Sequence, residues 1–414
     1  MIRHTQHDEK IMESVNCIIK EVIRKKDKAL LEFTWKFSGV KISKENLKVS
    51  DDEIEEAYGL LDSKILDHIR LVKKRVWEFH EKQRQNSWFE PKEDGSVLGQ
   101  LVIPLERVGI YVPGGKAAYP SSVLMNVIPA KVAGVEEIAM VTPPDKDGKL
   151  NPYVLVAAKE VGVNEIYKVG GAHAIAALAY GTQTIKRVDK ITGPGNIYVT
   201  LAKKLVYGDV DIDMLAGPSE ILIIADETVK PECIAADMLS QAEHDEMATS
   251  ILVTSCADLV DAVQKCIAEQ LKMLPKKEIA EKSLKNKGLI VITDNVEESF
   301  DIANKIAPEH LEILLKDPFK WIGKVRHAGS VFVGEYSPEP VGDYIAGPNH
   351  VLPTSGTARF YSGLNVDTFI KKTTVISFSK KTFEELKESV IDLAEMEGLT
   401  AHANAVRVRE GVLD

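Results

Sequence analysis

Val108-Gly-Ile-Tyr111-Val-Pro-Gly-Gly115, Ile138-Ala-Met-Val141-Thr-Pro-Pro144 and Ile166-Tyr-Lys-Val169-Gly-Gly171 share one grammar: a short apolar run, then a turn rich in glycine or proline. Helix-length segments lie between them. Short apolar runs closed by turn residues and separated by helical stretches predict strands of a parallel sheet, buried on both faces and joined by crossover helices. Ile221–Ile224 extends the series, and the rhythm resumes with Ile251–Thr254, Leu289–Ile292, Leu311–Leu315 and Val331–Val333. The expectation is two similar doubly wound α/β units.

Outward from this region the pattern changes. From about residue 9 to about 90 the chain is charged and helix-periodic, with Ile54, Leu61, Ile65, Val72, Val76 and Phe79 at helical spacing behind Ser50-Asp-Asp-Glu53, a capping-box signature. Beyond about residue 365 come a β-like Thr373–Phe378, a helix from about 382 to 396 and a last segment at Leu399–Val408. This tail is too small to hold a core alone.

The 414 residues, 44% hydrophobic and 28% charged, are enough for two or more domains. A net charge of -10 with only short basic runs argues against nucleic acid as a partner. The N-terminus lacks the apolar core of a signal peptide and no run of about 18 apolar residues occurs, so the expected location is cytoplasmic, with no membrane partner. Cys17, Cys233, Cys256 and Cys266 are widely spaced, which excludes CxxC metal or redox chemistry and makes a disulfide framework improbable.

Neither GxGxxG nor GxxxxGK[ST] occurs. The remaining candidates for a nucleotide are the turns Tyr111–Gly115, Val169–His173 and Thr192-Gly-Pro-Gly-Asn196, each at the carboxyl end of an expected strand, where open α/β sheets bind ligands. Any one of them alone is equally served by a purely structural turn. In Ser240-Gln-Ala-Glu-His244-Asp245, Gln241 and His244 stand three residues apart, which on a helix puts both on one face and suits a metal ion. A solvated helix end has the same composition, and a site needs further ligands. Asp343 and His402 are of the right type, and a set without thiolate fits a catalytic zinc better than a structural one. Glu309 and His310 place a carboxylate beside an imidazole just before an apolar strand, a pairing suited to proton transfer. Cys233 would point about 80° away from Gln241 around an ideal helix. A thiol nucleophile is therefore disfavoured, and an aldehyde would be oxidised through its hydrate, with Glu309 the residue typed to activate water.

Together, Tyr111-Val-Pro-Gly-Gly, Val169-Gly-Gly-Ala, Thr192-Gly-Pro-Gly-Asn, Leu215-Ala-Gly-Pro-Ser-Glu220, Ser240-Gln-Ala-Glu-His-Asp, Ala307-Pro-Glu-His-Leu, Gly342-Asp-Tyr through Asn349-His-Val-Leu-Pro353 and Glu397-Gly-Leu-Thr-Ala-His402 resemble histidinol dehydrogenase in order and spacing. The likeness runs from about residue 100 to the C-terminus. It implies an α/β fold of two incomplete Rossmann-like doubly wound domains with a helical N-terminal region and a small C-terminal tail. The implied division is 1–110 with 220–364 for zinc and catalysis, 111–219 on the NAD side, and 365–414 as a tail exchanged in a homodimer. The implied reaction is the last step of histidine biosynthesis, oxidation of L-histidinol through L-histidinaldehyde to L-histidine with two NAD. By the same likeness Glu309 and His310 are the acid–base pair, and Gln241, His244, Asp343 and His402 bind zinc. Ser219, Gln241, His244, His310, Asp343, His350, Glu397 and His402 meet the substrate, while Tyr111, His173 and Asn196 meet NAD. Position 173 departs from the pattern, which has Gln there; an imidazole cannot reproduce both ends of a carboxamide. The competing reading is a zinc-dependent hydrolase using the same Glu309–His310 pair on water.

Overall fold

Four helices open the computed structural model, which describes residues 6–114 and 119–409. They are α1 (Gln6–Lys25), α2 (Asp27–Ser38), α3 (Asp51–Leu60) and α4 (Ser63–Glu81). The capping box is formed: Ser50 Oγ accepts from Glu53 N at 3.3 Å, and the Glu53 carboxylate accepts from Ser50 N at 3.1 Å. The apolar run from Ile54 to Phe79 is divided between α3 and α4, because Asp62 starts a new helix by accepting from Lys64 N at 2.7 Å. Val76 is fully buried, whereas Ile65 on the same helix stays 37% exposed.

After the hairpin strands β1 (Trp88–Pro91) and β2 (Val97–Pro104) come two five-stranded, all-parallel sheets. The first contains β3 (Arg107–Tyr111), β4 (Glu137–Thr142), β5 (Glu165–Lys168), β6 (Lys190–Thr192) and β7 (Asp211–Ile212), in the order β5-β4-β3-β6-β7. Its crossovers carry α5 (Pro120–Ala133), α6 (Pro152–Glu160), α7 (Gly171–Tyr180) and α8 (Ile197–Val206). The second contains β8 (Glu220–Ala225), β9 (Thr249–Thr254), β10 (Gly288–Ile292), β11 (His310–Leu314) and β12 (Ser330–Val333), in the order β10-β9-β8-β11-β12. Its helices are α9 (Pro231–Ala242), α10 (Asp258–Gln270), α11 (Lys277–Lys287) and α12 (Val296–Ile306), followed by the short α13 (Glu339–Tyr344). Both sheets have the 3-2-1-4-5 order of a doubly wound fold lacking its sixth strand. Interior strands β3 and β11 are buried at every residue, which is why apolar side chains dominate both, although Arg107 opens β3 and His310 and Glu312 lie in β11.

The N-terminal helices pack on the first sheet's own helices: α1 on α7 and α8, α2 on α7, α3 on α6 and α4 on α5. Their buried residues, among them Val15, Leu30, Ala57 and Val76, join the two clusters built on that sheet. This departs from the expected grouping of residues 1–110 with 220–364. Amphipathic helices go where a complementary apolar face is free, and sequence order does not specify which sheet offers it.

Contacts divide the chain into two units, Met1–Gln83 with Leu105–Phe369, and Arg84–Pro104 with Ile370–Asp414. In the second, β13 (Ile370–Ser377) pairs antiparallel with β2, giving the order β1-β2-β13. The helices α14 (Lys380–Met396) and α15 (Thr400–Arg407) pack through Ile391, Ala394 and Ala403. The tail thus recruits residues 84–104, a strand pair the sequence reading missed. Among the described residues no helix is long and apolar enough to cross a membrane.

The contrast along α4 is testable. Val76→Ala should lower unfolding free energy by about 2 kcal/mol, the transfer loss of two methyl groups plus a residual cavity. Ile65→Ala should change it by less than about 0.5 kcal/mol, as surface substitutions do. Urea midpoints of the two variants measure the difference, and equal losses would contradict the packing.

Candidate active site

The second sheet brings together Glu309 and His310 at its centre, where the strand order reverses between β8 and β11. Ala307 ends α12 in the left-handed region, φ 54°, and turns the chain so that Pro308 and Glu309 lead directly into β11. The parallel register sets His310 opposite Ile221, which leaves both residues beside Glu220. Glu309 Oε2 accepts from Glu220 N at 2.8 Å, and His310 Nδ1 lies 3.0 Å from Glu220 O. A carbonyl only accepts, so Nδ1 carries the proton and Nε2 the lone pair. His310 Nε2 has no hydrogen-bond partner and is 3.9 Å from Glu339 Oε1.

Both residues are buried. Burial pushes the His310 imidazole down to about 4, only partly countered by Asp343 and the Glu220 carbonyl. Burial also raises the Glu309 carboxyl well above its ordinary range, against the hydrogen bond from Glu220 N and with Asp343 and Glu339 adding repulsion. The ring of His310 opens on a cavity of about 300 Å³ that Phe332, Asp343, His350 and Leu352 also line.

Around that cavity His244, Glu339 and Asp343 present ligand atoms that all lie within 4.8 Å of one another. Glu339 and Asp343 are one turn apart on α13. Gln241 and His244 do not share a helix face, contrary to expectation: α9 ends at Ala242, and His244 sits in the turn beyond it, with its N–H on Gln241 O at 3.2 Å. Turning off the helix frees the His244 ring, which is exposed, while Gln241 stays 1% exposed. Both amide atoms of Gln241 are buried without a partner. A buried carboxamide left unsatisfied, three residues before an imidazole that itself groups with carboxylates, is of a type that fits a metal ligand set. His350 Nδ1 lies 3.1 Å from Asp343 O and 3.7 Å from Asp343 Oδ1, so these two are joined directly. Ser219 is half-buried immediately before β8.

Sequence reasoning missed Glu339 and Glu312. Glu312 Oε1 accepts from Glu339 N at 2.7 Å and so anchors the start of α13 beneath the site. Burial, with Asp343 beside it, pushes the Glu339 carboxyl up to about 9. Neither residue stands in a motif that could have signalled it; the only hint was a charge inside the apolar run of β11. Glu397, just past α14, and His402, in α15, belong to the second unit and are exposed there.

On the first sheet, Tyr111 closes β3 and Thr192 closes β6, the two strands flanking its own order reversal. The Tyr111 hydroxyl accepts from Gly171 N at 3.1 Å, which joins the Val169–Ala172 turn to the end of β3. Asn196 caps α8, its Oδ1 accepting from Tyr198 N at 3.1 Å and Val199 N at 3.2 Å, and is itself exposed. Gly115 lies outside the described residues. His173 is 2% exposed in α7, against the stacked rings of Phe33 and Phe37 at 6.0 and 5.8 Å. Its Nε2 is 3.2 Å from Thr34 Oγ1, whose own proton goes to Leu30 O at 2.8 Å. The imidazole therefore spends its N–H on α2 of the helical scaffold.

A family model described as histidinol dehydrogenase matches residues 1–410. Histidinol dehydrogenase from Heliobacterium mobile is 56% identical over 98% of this chain and 95% of its own, and that from Bacillus subtilis (strain 168) is 55% identical over 96% and 93%. A crystal structure of histidinol dehydrogenase from Elizabethkingia anophelis superposes with a TM-score of 0.93 at 40% identity, covering 97% of this chain and 92% of that one. The chain belongs to the histidinol dehydrogenase family. Family likeness extends through the N-terminal helices, beyond the motifs that begin near residue 100. The hydrolase alternative finds no support among histidinol dehydrogenase relatives.

The burial of His173 has a consequence for stability. Desolvation pushes its imidazole down to about 3, so the folded chain keeps it neutral while the unfolded chain protonates it near 6.5. Its contribution is complete above about pH 6.5 and is lost as pH falls toward 3. His173→Leu, which cannot protonate, should lose less stability than wild type between pH 7.5 and 4.5, read from urea midpoints. A wild-type-minus-variant difference independent of pH would contradict this.

Proposed function

We propose that the chain oxidises L-histidinol through L-histidinaldehyde to L-histidine, passing one hydride to NAD in each of two steps. The observation that carries this reading is the Glu309–His310 pair anchored on Glu220, with His310, whose Nε2 has no partner, lining the cavity shared with Asp343 and His350. Neutral His310 accepts the hydroxyl proton at Nε2 in both oxidations, as the hydride leaves the same carbon. Between them, Glu309 accepts a proton from the water that adds to the aldehyde while His310, protonated in the first oxidation, returns its proton to the carbonyl oxygen, giving the hydrate the second oxidation needs.

Gln241, His244, Asp343 and His402 are the residues that would hold a zinc ion, and the unsatisfied Gln241 amide supports this. When bound, zinc supplies a Lewis acid that orients the imidazole and amine of the substrate. Ser219, His350 and Glu397 contact the substrate, while Tyr111 and Asn196 receive NAD beside the β3–β6 reversal. The position of His173 favours a scaffold role over cofactor contact.

The functional form is a homodimer in which Glu397 and His402 complete the site of a second copy. The second unit supports this with an apolar stripe on α14 that none of its described residues covers: Leu386, Val390, Leu393 and Met396.

Each histidinol consumed should yield two NADH, and a chelator should abolish the yield. Absence of NADH with cleavage of an ester or amide would overturn the reading. His310→Asn should suppress oxidation of histidinol and histidinaldehyde alike, whereas Glu309→Gln should impair mainly the aldehyde step; equal losses for Glu309→Gln would refute that division. His402→Asn and His244→Asn homodimers should each be nearly inactive. After subunit exchange, activity should approach about a quarter of wild type, since about half the dimers are mixed and half their sites intact. No recovery after verified exchange would place the tail in its own chain's site.

A further inference from the structure

The Thr192–Asn196 turn is gripped by a buried ion pair that none of the chemistry above uses. Lys203, within α8, and Asp213, just past β7, have side chains 3% and 1% exposed and pair directly. Both also hold one residue of the turn. Gly193 N donates to Asp213 Oδ2 at 2.8 Å, and Lys203 Nζ donates to Gly193 O at 2.9 Å. The other Asp213 oxygen, Oδ1, accepts from Met214 N at 2.6 Å as well as from Lys203.

The gripped residue has no slack. Gly193 has φ +112°, a conformation side-chain-bearing residues avoid, and a Cβ built there would stand 2.0 Å from Tyr111 O. The turn is therefore pressed against the end of β3, and three residues on it delivers Asn196 to the first turn of α8. Met214, the third group on the carboxylate, opens the segment Leu215–Ser219 that leads into Glu220 and the acid–base pair. A pair this deeply buried gains little stability over an apolar pair of the same volume, because desolvation offsets the attraction. What it adds here is directional: one donor, Lys203 Nζ, and one acceptor, Asp213 Oδ2, that fix the C=O and N–H of one backbone residue.

We infer that Lys203 and Asp213 are positioning residues for the nicotinamide dinucleotide: their ion pair holds Gly193 so that Tyr111 and Asn196 keep the pose that receives the cofactor. Through Met214 the same carboxylate ties that turn to the segment carrying Ser219. This rests on the NAD reading above.

NADH affinity, measured by fluorescence titration, tests it. Lys203→Met should weaken NADH binding by about tenfold and raise the KM for NAD correspondingly. Zinc content, the KM for histidinol and kcat at saturating NAD should stay near wild type, a split that general loosening would not produce. The double variant Lys203→Met/Asp213→Leu removes both charges and should regain stability by apolar packing, yet still bind NADH weakly, since Gly193 has lost both partners. Recovery of affinity together with stability would overturn the inference, as would wild-type affinity in a folded Lys203→Met protein. Should neither variant fold, amide exchange on the wild-type enzyme decides: NADH is expected to protect residues 191–200, and protection confined to other segments overturns the inference. Failure of the NAD reading itself is seen separately, as a wild-type enzyme that binds no NADH.

Discussion

The backbone of Glu220 is the constraint on which the active site depends. Its N–H holds the Glu309 carboxylate and its C=O holds His310 Nδ1, so one residue of β8 aims two side chains of β11. That arrangement exists only in the observed register, with His310 opposite Ile221. A shift by one residue would turn His310 to the other face of the sheet. Backbone groups suit this task because the ladder around them has no rotamers to lose, and the tautomer of His310 follows from the carbonyl it faces.

The same region shows how burial, not contact with opposite charge, sets the chemistry. Glu309, Glu312 and Glu339 are all buried with desolvation as the leading cause of their raised proton affinity, and His310 is kept neutral for the same reason. A neutral imidazole with one nitrogen already donated is a base at the other. No cationic side chain is hydrogen-bonded to these carboxyls among the described residues, which leaves the donor set around Asp343 suited to a cation supplied from outside.

The two sheets repeat one topology but use opposite edges of it. On the first, Tyr111 and the Thr192–Asn196 turn lie at the carboxyl ends of β3 and β6; on the second, Glu220, Glu309 and His310 lie at the amino ends of β8 and β11. Residues 213–220 connect the two edges, running from a carboxylate that fixes the first turn to a backbone that fixes the acid–base pair. This segment is the short covalent path between the Gly193 turn and the Glu309–His310 pair.

Much of this was legible in the sequence. Every parallel strand of the second sheet and β3, β4 and β5 of the first were marked by apolar runs; the interior strands are apolar because both faces are buried, while the edge strands β10 and β12 keep the pattern with exposed and half-buried side chains. Lys190–Thr192, marked only by the turn that follows it, and Asp211–Ile212 are too short and too charged to make a run, while β1 is exposed and β2 mostly half-buried. The Glu309–His310 pair, Gln241, His244 and Asp343 were found as motifs. Glu339 and the Lys203–Asp213 pair were not, since their partners lie far apart or on irregular segments and no local pattern encodes them. By itself, then, the sequence determined most of the parallel strands, the Ser50–Glu53 capping box and the residue types of the site, all of which depend on near neighbours in the chain. Only the tertiary structure decided which sheet the N-terminal helices cover, where His244 leaves its helix, which way His173 spends its N–H, and how Glu220 aims the acid–base pair. Those depend on groups tens to hundreds of residues apart, brought within hydrogen-bonding distance only when the two sheets are formed.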